Sequence, residues 1–396
     1  MTVGLLVRPQ LRGVEPYGAP HPDVPVRLNV NENPYPPAPA VRQALTQSLE
    51  QACKQLNRYP DRDFPGLRQA LAKYLAAESA APWLTAANLW AANGSNEVMQ
   101  QLFQAFGGPG RTALSFEPTY SMYPEYARNT NTAWVVGARR DDFSLDLPAA
   151  LALLAKVRPS IVLLASPNNP TGGALSLAEI RAVAEATADY GQTNRSQQLE
   201  PTGGIVIVDE AYAEFRRPGQ PSALSLLPDY PHLAVSRTMS KAFAMAGARL
   251  GYLAGQAELV NVLRTVRLPY HLSSLTQAAA LAALGQADQL LAQVDQLRQT
   301  RQRVAQSLRS IINPATGQGL EVAQSDANFL LFGRLADRHA VWQGLLDRGV
   351  LIREVGPAGY LRVSMGTASE MDAFLEALAA VLTAHSTATA AAKRLP

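Results

Sequence analysis

Between about residues 88 and 270, short runs of apolar residues alternate with segments that have helical spacing. The runs are NLWAAN, RTALSF, TAWVVGA, SIVLLAS, GGIVIVDE, HLAVSRT and ARLGYLAG. Strands that are apolar at every position, rather than at every second one, are covered by protein on both faces, as in mainly parallel sheets. This part of the chain therefore predicts an α/β domain with a mainly parallel central sheet between helices.

The last third of the chain has a different pattern. Residues 282–312 place Leu, Val and Ile at helical spacing and predict one long amphipathic helix. NFLLFG, VLIREV and YLRVSMG then predict strands, and residues 369–384 predict a final helix. We therefore expect a second, smaller α+β domain after the large one.

The first part of the chain is rich in Pro and Asn residues, which predicts an extended arm without regular structure. A helix is expected from near Val41 to the turn-rich RYPDRDFPG, and another at residues 65–77, which opens with a proline. A polar surface loop is expected at residues 191–203. The predicted organisation is an arm at 1–40, the start of the small domain and a linker at 41–64, the large domain at 65–270, the small C-terminal domain at 271–384 and a flexible tail at 385–396.

Composition narrows the possible classes of protein. With 396 residues, 47% of them hydrophobic, the chain can bury a large core in two units. The net charge of +3 comes from scattered residues, so we expect no nucleic-acid partner. Cys53 is the single cysteine, which excludes an internal disulfide and fits a reducing compartment. The apolar runs are too short to span a membrane, residues 1–20 resemble no signal peptide, and the five histidines have no ligand spacing. We therefore expect a soluble, cytoplasmic protein without a metal site.

Polar residues follow three of the predicted strands. SIVLLA is followed by SPNNPTGG, GGIVIV by DEAY, and HLAVSRT by MSK. Ligands of doubly wound sheets bind at the carboxyl ends of the strands, so one edge should present Asn169, Asp209 with Tyr212, and Lys241. Separately, a helix cap, an ordinary turn and a solvated lysine would explain them. Together they indicate a lysine imine with an electron-withdrawing ring.

SPNNPTG, VDEAY and SRTMSKAFAMAGARLGY closely resemble motifs of the pyridoxal-phosphate-dependent aminotransferases of fold type I. The resemblance extends from about residue 8 to residue 382. Its most specific part is Asp-x-x-Tyr, a Ser-Lys pair about thirty residues later, and an arginine eight residues after the lysine. It implies that fold and pyridoxal 5'-phosphate as the cofactor.

The resemblance also implies a role for each residue. Lys241 would bond to the cofactor aldehyde and then carry a proton between the substrate α-carbon and the cofactor. For this it has to be partly neutral, and an enclosed cationic site lowers the pKa of a lysine. Asp209 would pair with the pyridine nitrogen, and Asn169 and Tyr212 would hydrogen-bond the phenolic oxygen of the ring.

Further residues would hold the rest of the cofactor. A guanidinium and two hydroxyls are expected on its phosphate, together with the backbone N–H groups at the start of a helix, although a simple helix cap would also explain that start. An aromatic ring is expected to stack on the cofactor, with a core position as the alternative. The guanidinium is that of Arg249, and the hydroxyls are those of Thr238 and Ser240. The helix starts at Gly94, Ser95 and Asn96, and the stacking ring is that of Tyr120.

RPQLRGVEPY, LNVNENPYP, RYPDRDFPGLRQALAKYL, SDANFLLF and GVLIREVGPAGYLRVSMGT resemble the subgroup of these enzymes that acts on histidinol phosphate. This implies that Arg362 binds the substrate α-carboxylate and Arg353 the substrate phosphate, although Arg353 could instead be a surface residue. Asn33 would lie on the arm that closes over the substrate. Tyr59 would reach the cofactor phosphate of a neighbouring subunit, which implies an obligate homodimer with shared active sites.

The resemblance therefore implies amino transfer between L-histidinol phosphate and 2-oxoglutarate, with glutamate as the counterpart, in histidine biosynthesis. A threonine-phosphate decarboxylase and an aromatic amino acid aminotransferase remain alternatives within the same chemistry. A non-catalytic regulator that binds the cofactor is the alternative of another class, but the first 40 residues are too short for the DNA-binding module of such proteins. Two departures from the subgroup pattern are Asn96, often acidic there, and Val363-Ser364-Met365 beside Arg362.

Overall fold

The computed structural model describes residues 6–16, 18, 20–190 and 203–392, with side chains as far as residue 384. Nearly all of the loop expected at 191–203, and residues 393–396 of the expected tail, lie outside the described residues. Within the described part, the helices are α1 (Pro39–Cys53), α2 (Pro65–Glu78), α3 (Ser95–Phe106), α4 (Tyr123–Asn129), α5 (Leu147–Val157), α6 (Leu177–Ala188), α7 (Ala257–Val266), α8 (Ser274–Leu284), α9 (Ala287–Ser310), α10 (Arg338–Leu346) and α11 (Ala368–Ala392).

The strands form a large sheet, a smaller sheet and one short pair. They are β1 (Val26–Arg27), β2 (Leu89–Ala92), β3 (Thr112–Glu117), β4 (Ala133–Ala138), β5 (Ile161–Ala165), β6 (Ile205–Asp209), β7 (Leu233–Thr238), β8 (Gly251–Gly255), β9 (Glu321–Val322), β10 (Phe329–Gly333), β11 (Val350–Leu351) and β12 (Tyr360–Ser364). The large sheet has the order β2-β8-β7-β6-β5-β3-β4, and only β8 runs antiparallel to its neighbours.

The central strands explain why the apolar runs predicted the sheet correctly. Every residue of β5, β6 and β7 is buried, because helices cover both faces of the sheet. The α/β prediction with a mainly parallel sheet is confirmed. Since β5, β6 and β7 are parallel, their carboxyl ends lie along one edge.

The second unit is smaller, as expected. Its three-stranded antiparallel sheet has the order β12-β10-β9, and α9, α10 and α11 pack beside it. The domain boundaries themselves stay predictions.

The arm is mostly irregular, but β1 pairs in parallel with β11, so Val26 lies opposite Val350. Within the described residues, no helix is both long and apolar enough to cross a bilayer.

Two helix predictions are wrong in their bounds. The single helix expected at 282–312 is interrupted: α8 ends at Leu284, and α9 begins at Ala287. Gly285 lies at the break, where its low helix propensity favours an end. The final helix, expected to end at residue 384, continues to Ala392. Alanine is the strongest helix former, so the Ala-rich end of the chain stays helical without an amphipathic pattern.

Candidate active site

A cavity of about 450 Å³ opens at the carboxyl ends of β5, β6 and β7. Twelve of the fifteen predicted site residues line it, and only Gly94, Tyr59 and Asn33 do not. The twelve are Asn169, Asp209, Tyr212, Lys241, Tyr120, Ser95, Asn96, Thr238, Ser240, Arg249, Arg353 and Arg362. The structure therefore brings the three polar strand ends together, as the parallel sheet requires.

Lys241 follows the end of β7 by three residues and lies against the arm. Its Nζ donates a hydrogen bond to the carbonyl oxygen of Val30, at 3.2 Å. Burial, followed by the charges of Arg362 and Arg249, lowers the pKa of Lys241 to about 8, although Glu32 opposes them. An amine with this pKa is partly neutral near physiological pH, which a nucleophile or a general base requires.

Asp209 is the last residue of β6 and is buried beneath the cavity. One carboxylate oxygen accepts a hydrogen bond from the hydroxyl of Tyr123 at 2.9 Å, and the other accepts one from the N–H of Ala211 at 3.2 Å. Burial raises the pKa of Asp209 to about 6, against the effect of these two donors. A carboxylate that burial destabilises in this way favours a cationic partner.

Tyr123 was missed by the sequence analysis. It is the first residue of α4, its side chain is fully buried, and burial raises the pKa of its hydroxyl well above the ordinary value. Three residues earlier, Tyr120 lines the cavity, with its ring 5.5 Å from that of Tyr123. The sequence signal for Tyr123 was a pair of tyrosines three residues apart, but this spacing alone does not say which of the two reaches Asp209.

The side of the cavity next to the arm is a hydrogen-bonded group. Asn31 donates from its amide to the hydroxyl of Tyr212 at 3.0 Å. Arg362 donates to Oδ1 of Asn169 at 2.6 Å and to the carbonyl oxygen of Asn29 at 2.7 Å. The arm thus contacts Tyr212 and Arg362 directly, and Arg362 in turn contacts Asn169.

Asn33, the arm residue that the sequence analysis selected, has other contacts. Its amide donates to Oε1 of Gln293 at 3.3 Å, and its Oδ1 accepts from the N–H of Tyr35 at 3.0 Å. Asn31 and Glu32, which line the cavity, were not selected. The substrate role of Asn33 stays a prediction.

The start of α3 forms an open group of donors. Gly94 precedes the helix with φ of +85° and has no side chain that could cap the helix start. A Cβ at Gly94 would lie 2.6 Å from Nη2 of Arg249, and a Cβ at Gly251 would overlap the backbone nitrogen of Ser95. Both glycines therefore allow the helix start, the guanidinium and β8 to approach closely. Free N–H groups at a helix start beside a guanidinium are a typical phosphate site.

Two more side chains line the same side of the cavity. The hydroxyls of Thr238 and Ser240 lie 3.0 Å apart, and the N–H of Ser240 donates to the hydroxyl of Thr238 at 3.2 Å. Both residues are buried, at the end of β7 and just after it. Together with the start of α3 and Arg249 they present the polar groups that a phosphate would need.

Arg353 and Arg362 reach the cavity from paired segments. Their backbones exchange two hydrogen bonds, at 3.0 Å and 2.9 Å, and both side chains line the cavity. Nη2 of Arg353 donates to the carbonyl oxygen of Gly18 at 3.4 Å. Tyr59, by contrast, is 81% exposed and stacks on Tyr270, with ring centroids 4.5 Å apart.

Comparison with known proteins adds the following. The model of the family "Aminotransferase class I and II" matches residues 23–378. A histidinol-phosphate aminotransferase of Bifidobacterium longum is 54% identical over 379 residues, which cover 96% of this chain and 97% of the relative. The enzyme of the same name from Thermobifida fusca is 55% identical over 374 residues, covering 94% of this chain and 95% of the relative.

Solved structures agree on the fold. The histidinol-phosphate aminotransferase of Sinorhizobium meliloti, determined with pyridoxal-5'-phosphate, superposes with a TM-score of 0.82 at 24% identity, covering 97% of this chain and 99% of that one. An aspartate aminotransferase of Thermus thermophilus, a tetra mutant, superposes with a TM-score of 0.76 at 23% identity, covering 95% and 99%. Proteins named for different substrates share this fold, so the substrate has to be argued from the cavity and from the closer relatives.

Proposed function

Because the chain belongs to the aminotransferase class I and II family, we propose that it transfers an amino group between L-histidinol phosphate and 2-oxoglutarate in histidine biosynthesis. One observation carries the choice of substrate: two guanidiniums, of Arg353 and Arg362, line the cavity that also contains Lys241. The phosphate ester of histidinol phosphate and the α-carboxylate of glutamate are both attached close to the reacting α-carbon. The same pair of guanidiniums is therefore expected to bind both substrates in turn.

The residues present fit pyridoxal phosphate. The buried carboxylate of Asp209 favours a cationic partner, the pKa of Lys241 is lowered, and the helix start at Gly94 is kept open by the lack of a Cβ. Lys241 would hold the aldehyde end, Asp209 the ring nitrogen, and Arg249 with the start of α3 the phosphate. When bound, the cofactor supplies a carbonyl that condenses with amines and a ring that accepts electrons from the substrate α-carbon.

The protein groups contribute the proton transfers and the alignment. The neutral amine of Lys241 can accept a proton from the substrate α-carbon. It would then deliver this proton to the carbon that the cofactor aldehyde provides. The carboxylate of Asp209 is ionised at neutral pH, since its pKa is about 6, and would keep a proton on the ring nitrogen. Asn169 and Tyr212 would bond the phenolic oxygen, and Arg362 donates a hydrogen bond to Oδ1 of Asn169.

The proposal is tested by offering three amino compounds to the purified holoenzyme: histidinol phosphate, phenylalanine and threonine phosphate. Each is assayed with 2-oxoglutarate, and both glutamate and carbon dioxide are measured. We expect glutamate to form fastest with histidinol phosphate, and no carbon dioxide. Release of carbon dioxide from threonine phosphate would indicate the decarboxylase instead. A higher kcat/KM for phenylalanine would indicate the aromatic aminotransferase.

We also propose that two copies of the chain form a cytoplasmic homodimer in which each subunit completes the other's cavity. Tyr59 and Tyr270 stack on each other yet stay exposed, and Leu56 and Leu268 are also exposed nearby in the sequence. Exposed apolar side chains in such numbers favour a protein partner. A cytoplasmic location fits the exposed free thiol of Cys53.

Mixed dimers test this arrangement. Lys241→Ala and Tyr59→Ala chains are unfolded and refolded together, and activity is compared with each variant alone. If Tyr59 acts in the neighbouring cavity, a mixed dimer contains one intact site, so the mixture should recover about a quarter of wild-type activity. If Tyr59 acts within its own chain, mixing restores nothing above the separate variants.

A further inference from the structure

A short segment outside the cavity, residues 325–328 (the SDAN segment), contains a buried carboxylate with an unusual set of donors. The side chain of Asp326 is 1% exposed. Its oxygens accept three hydrogen bonds from Arg217: from the backbone N–H at 2.9 Å, from Nε at 2.8 Å and from Nη2 at 3.1 Å. The N–H of Asp326 donates to the carbonyl oxygen of Gly172 at 2.8 Å. Asp326 thus joins the loop after β5 to the loop after β6.

The rest of the SDAN segment contacts the same loops and the arm. A Cβ at Gly172, where φ is +86°, would lie 2.5 Å from Oγ of Ser325. Arg301 of α9 donates to the carbonyl oxygen of Ala327 at 2.6 Å and to that of Phe215 at 3.0 Å. The amide of Asn328 donates to the carbonyl oxygen of Asn31 at 2.9 Å. The loop after β5, the loop after β6 and the arm therefore meet on these four residues, next to α9.

The two loops and the arm each carry a side chain of the cavity. Gly172 follows Asn169 by three residues, Arg217 follows Tyr212 by five, and Asn31 itself donates to the hydroxyl of Tyr212. The SDAN segment does not line the cavity. Its effect on the chemistry is therefore indirect, through the positions of residues such as Asn169 and Tyr212.

We propose that Asp326 is a positioning residue, which through Arg217 and Gly172 places Asn169 and Tyr212 on the same side of the bound cofactor. A carboxylate that receives a forked guanidinium and a backbone N–H fixes both distance and direction, whereas an amide in its place loses the charge and one acceptor. Placement matters because a displacement of about 1 Å in a catalytic group can cost a hundredfold in rate. The inference rests on the proposed use of pyridoxal phosphate but not on the choice of substrate.

The alternative is that the pair only stabilises the fold, and the test has to separate the two. Asp326→Asn keeps the shape of the side chain, and Arg217→Gln removes the partner, which is 42% exposed and so tolerates replacement. Glu321→Gln is the control, because Glu321 of β9 pairs with Arg334, just after β10, and does not line the cavity. For each holoenzyme we would measure the pH midpoint of the visible absorption of the cofactor, its dissociation rate, the melting temperature, and kcat and KM.

Donors to the phenolic oxygen of the bound cofactor stabilise the negative charge of that oxygen. If the donors are misplaced, the oxygen and the nitrogen beside it should bind their shared proton more tightly, and the absorption midpoint reports this proton. We expect Asp326→Asn and Arg217→Gln to raise the absorption midpoint by about half a pH unit or more and to lower kcat about tenfold, with KM little changed. Glu321→Gln should leave both unchanged. The absorption titration needs no substrate, so its result stands even if histidinol phosphate is not turned over.

Two results decide the matter. A raised midpoint in the two variants, absent from the control, supports a positioning role. Lower melting temperatures with the absorption midpoint and kcat of wild type would overturn it, because a purely structural pair moves stability alone. If Asp326→Asn does not fold, Arg217→Gln alone decides by the same criteria.

Discussion

Replacing Asp209 by asparagine tests the electrostatics of the site most directly. Without the cofactor, the folded protein holds an ionised carboxylate at neutral pH although burial raises its pKa to about 6. Asp209→Asn removes this charge and can keep both contacts, because the hydroxyl of Tyr123 can turn to accept from the new amide. We therefore expect the cofactor-free variant to be more stable than wild type at neutral pH, although it should be a poor enzyme.

The size of the effect follows from proton linkage. A carboxyl whose pKa is higher in the folded than in the unfolded state binds its proton more tightly when folded. Its stabilising contribution is therefore complete below the unfolded pKa and is lost as the pH rises through the folded one. With 3.8 as the ordinary value and about 6 in the folded protein, the loss is about 3 kcal/mol. Asparagine does not titrate, so the advantage of the variant should grow by about 1.4 kcal/mol per pH unit between about pH 4 and pH 6 and then level off.

Urea unfolding of the two cofactor-free proteins, at several pH values from about 4.5 to 8, measures this difference. Comparing the variants at each pH cancels every other titrating group. Added pyridoxal phosphate should reverse the order, because a cationic ring nitrogen stabilises the wild-type carboxylate and gains little from an amide. A difference in unfolding free energy that stays constant with pH would refute the reasoning, and so would a cofactor that stabilises both proteins equally.

Three further substitutions have expected outcomes. Lys241→Ala should retain the cofactor, which its absorbance after gel filtration would show, but it should have no measurable turnover unless an amine is added. Turnover without an added amine would disprove the role of Lys241 as the catalytic amine. Arg353→Gln should raise the KM for histidinol phosphate by about tenfold to a hundredfold, since a charged hydrogen bond contributes about 1.5–3 kcal/mol, and an unchanged KM in steady-state assays would remove Arg353 from the site. Gly251→Ala should weaken cofactor binding at least about tenfold in a fluorescence titration, because its Cβ overlaps Ser95 and moves the phosphate site. Gly255→Ala, with its nearest neighbour at 3.5 Å, is the control, and equal losses in both would contradict the argument.

The strand ends could be predicted from the sequence because two simple rules act together. Continuous apolar runs identify buried strands, and parallel strands bring their carboxyl ends to one edge. Asn169, Asp209 and Lys241 are far apart in the chain, yet each lies just after such a run. Their meeting in one cavity therefore needed no knowledge of side-chain packing.

The contacts that hold these residues could not be predicted in the same way. Tyr123 bonds Asp209 across 86 positions of the chain, and the direction of its side chain depends on how α4 packs. On the irregular arm, nothing in the sequence distinguishes Asn31, which contacts Tyr212, from Asn33, which contacts Gln293. Such choices depend on how the arm and α4 pack against the rest of the chain, and local pattern carries no information about this packing.

The opposite pKa shifts of Asp209 and Lys241 have the same main cause, since burial disfavours the charged form of each. Among the described residues no salt bridge of 4.0 Å or less joins either group to an opposite charge. Glu32 and the two donors to Asp209 oppose the shifts, but burial still outweighs them. A ring with a basic nitrogen at one end and a carbonyl at the other would relieve both strains. The nitrogen would pair with the carboxylate of Asp209, and the carbonyl would bond covalently to the amine of Lys241. The chain is therefore expected to give up stability at this cavity and to recover it when the cofactor binds, which is a usual arrangement at active sites.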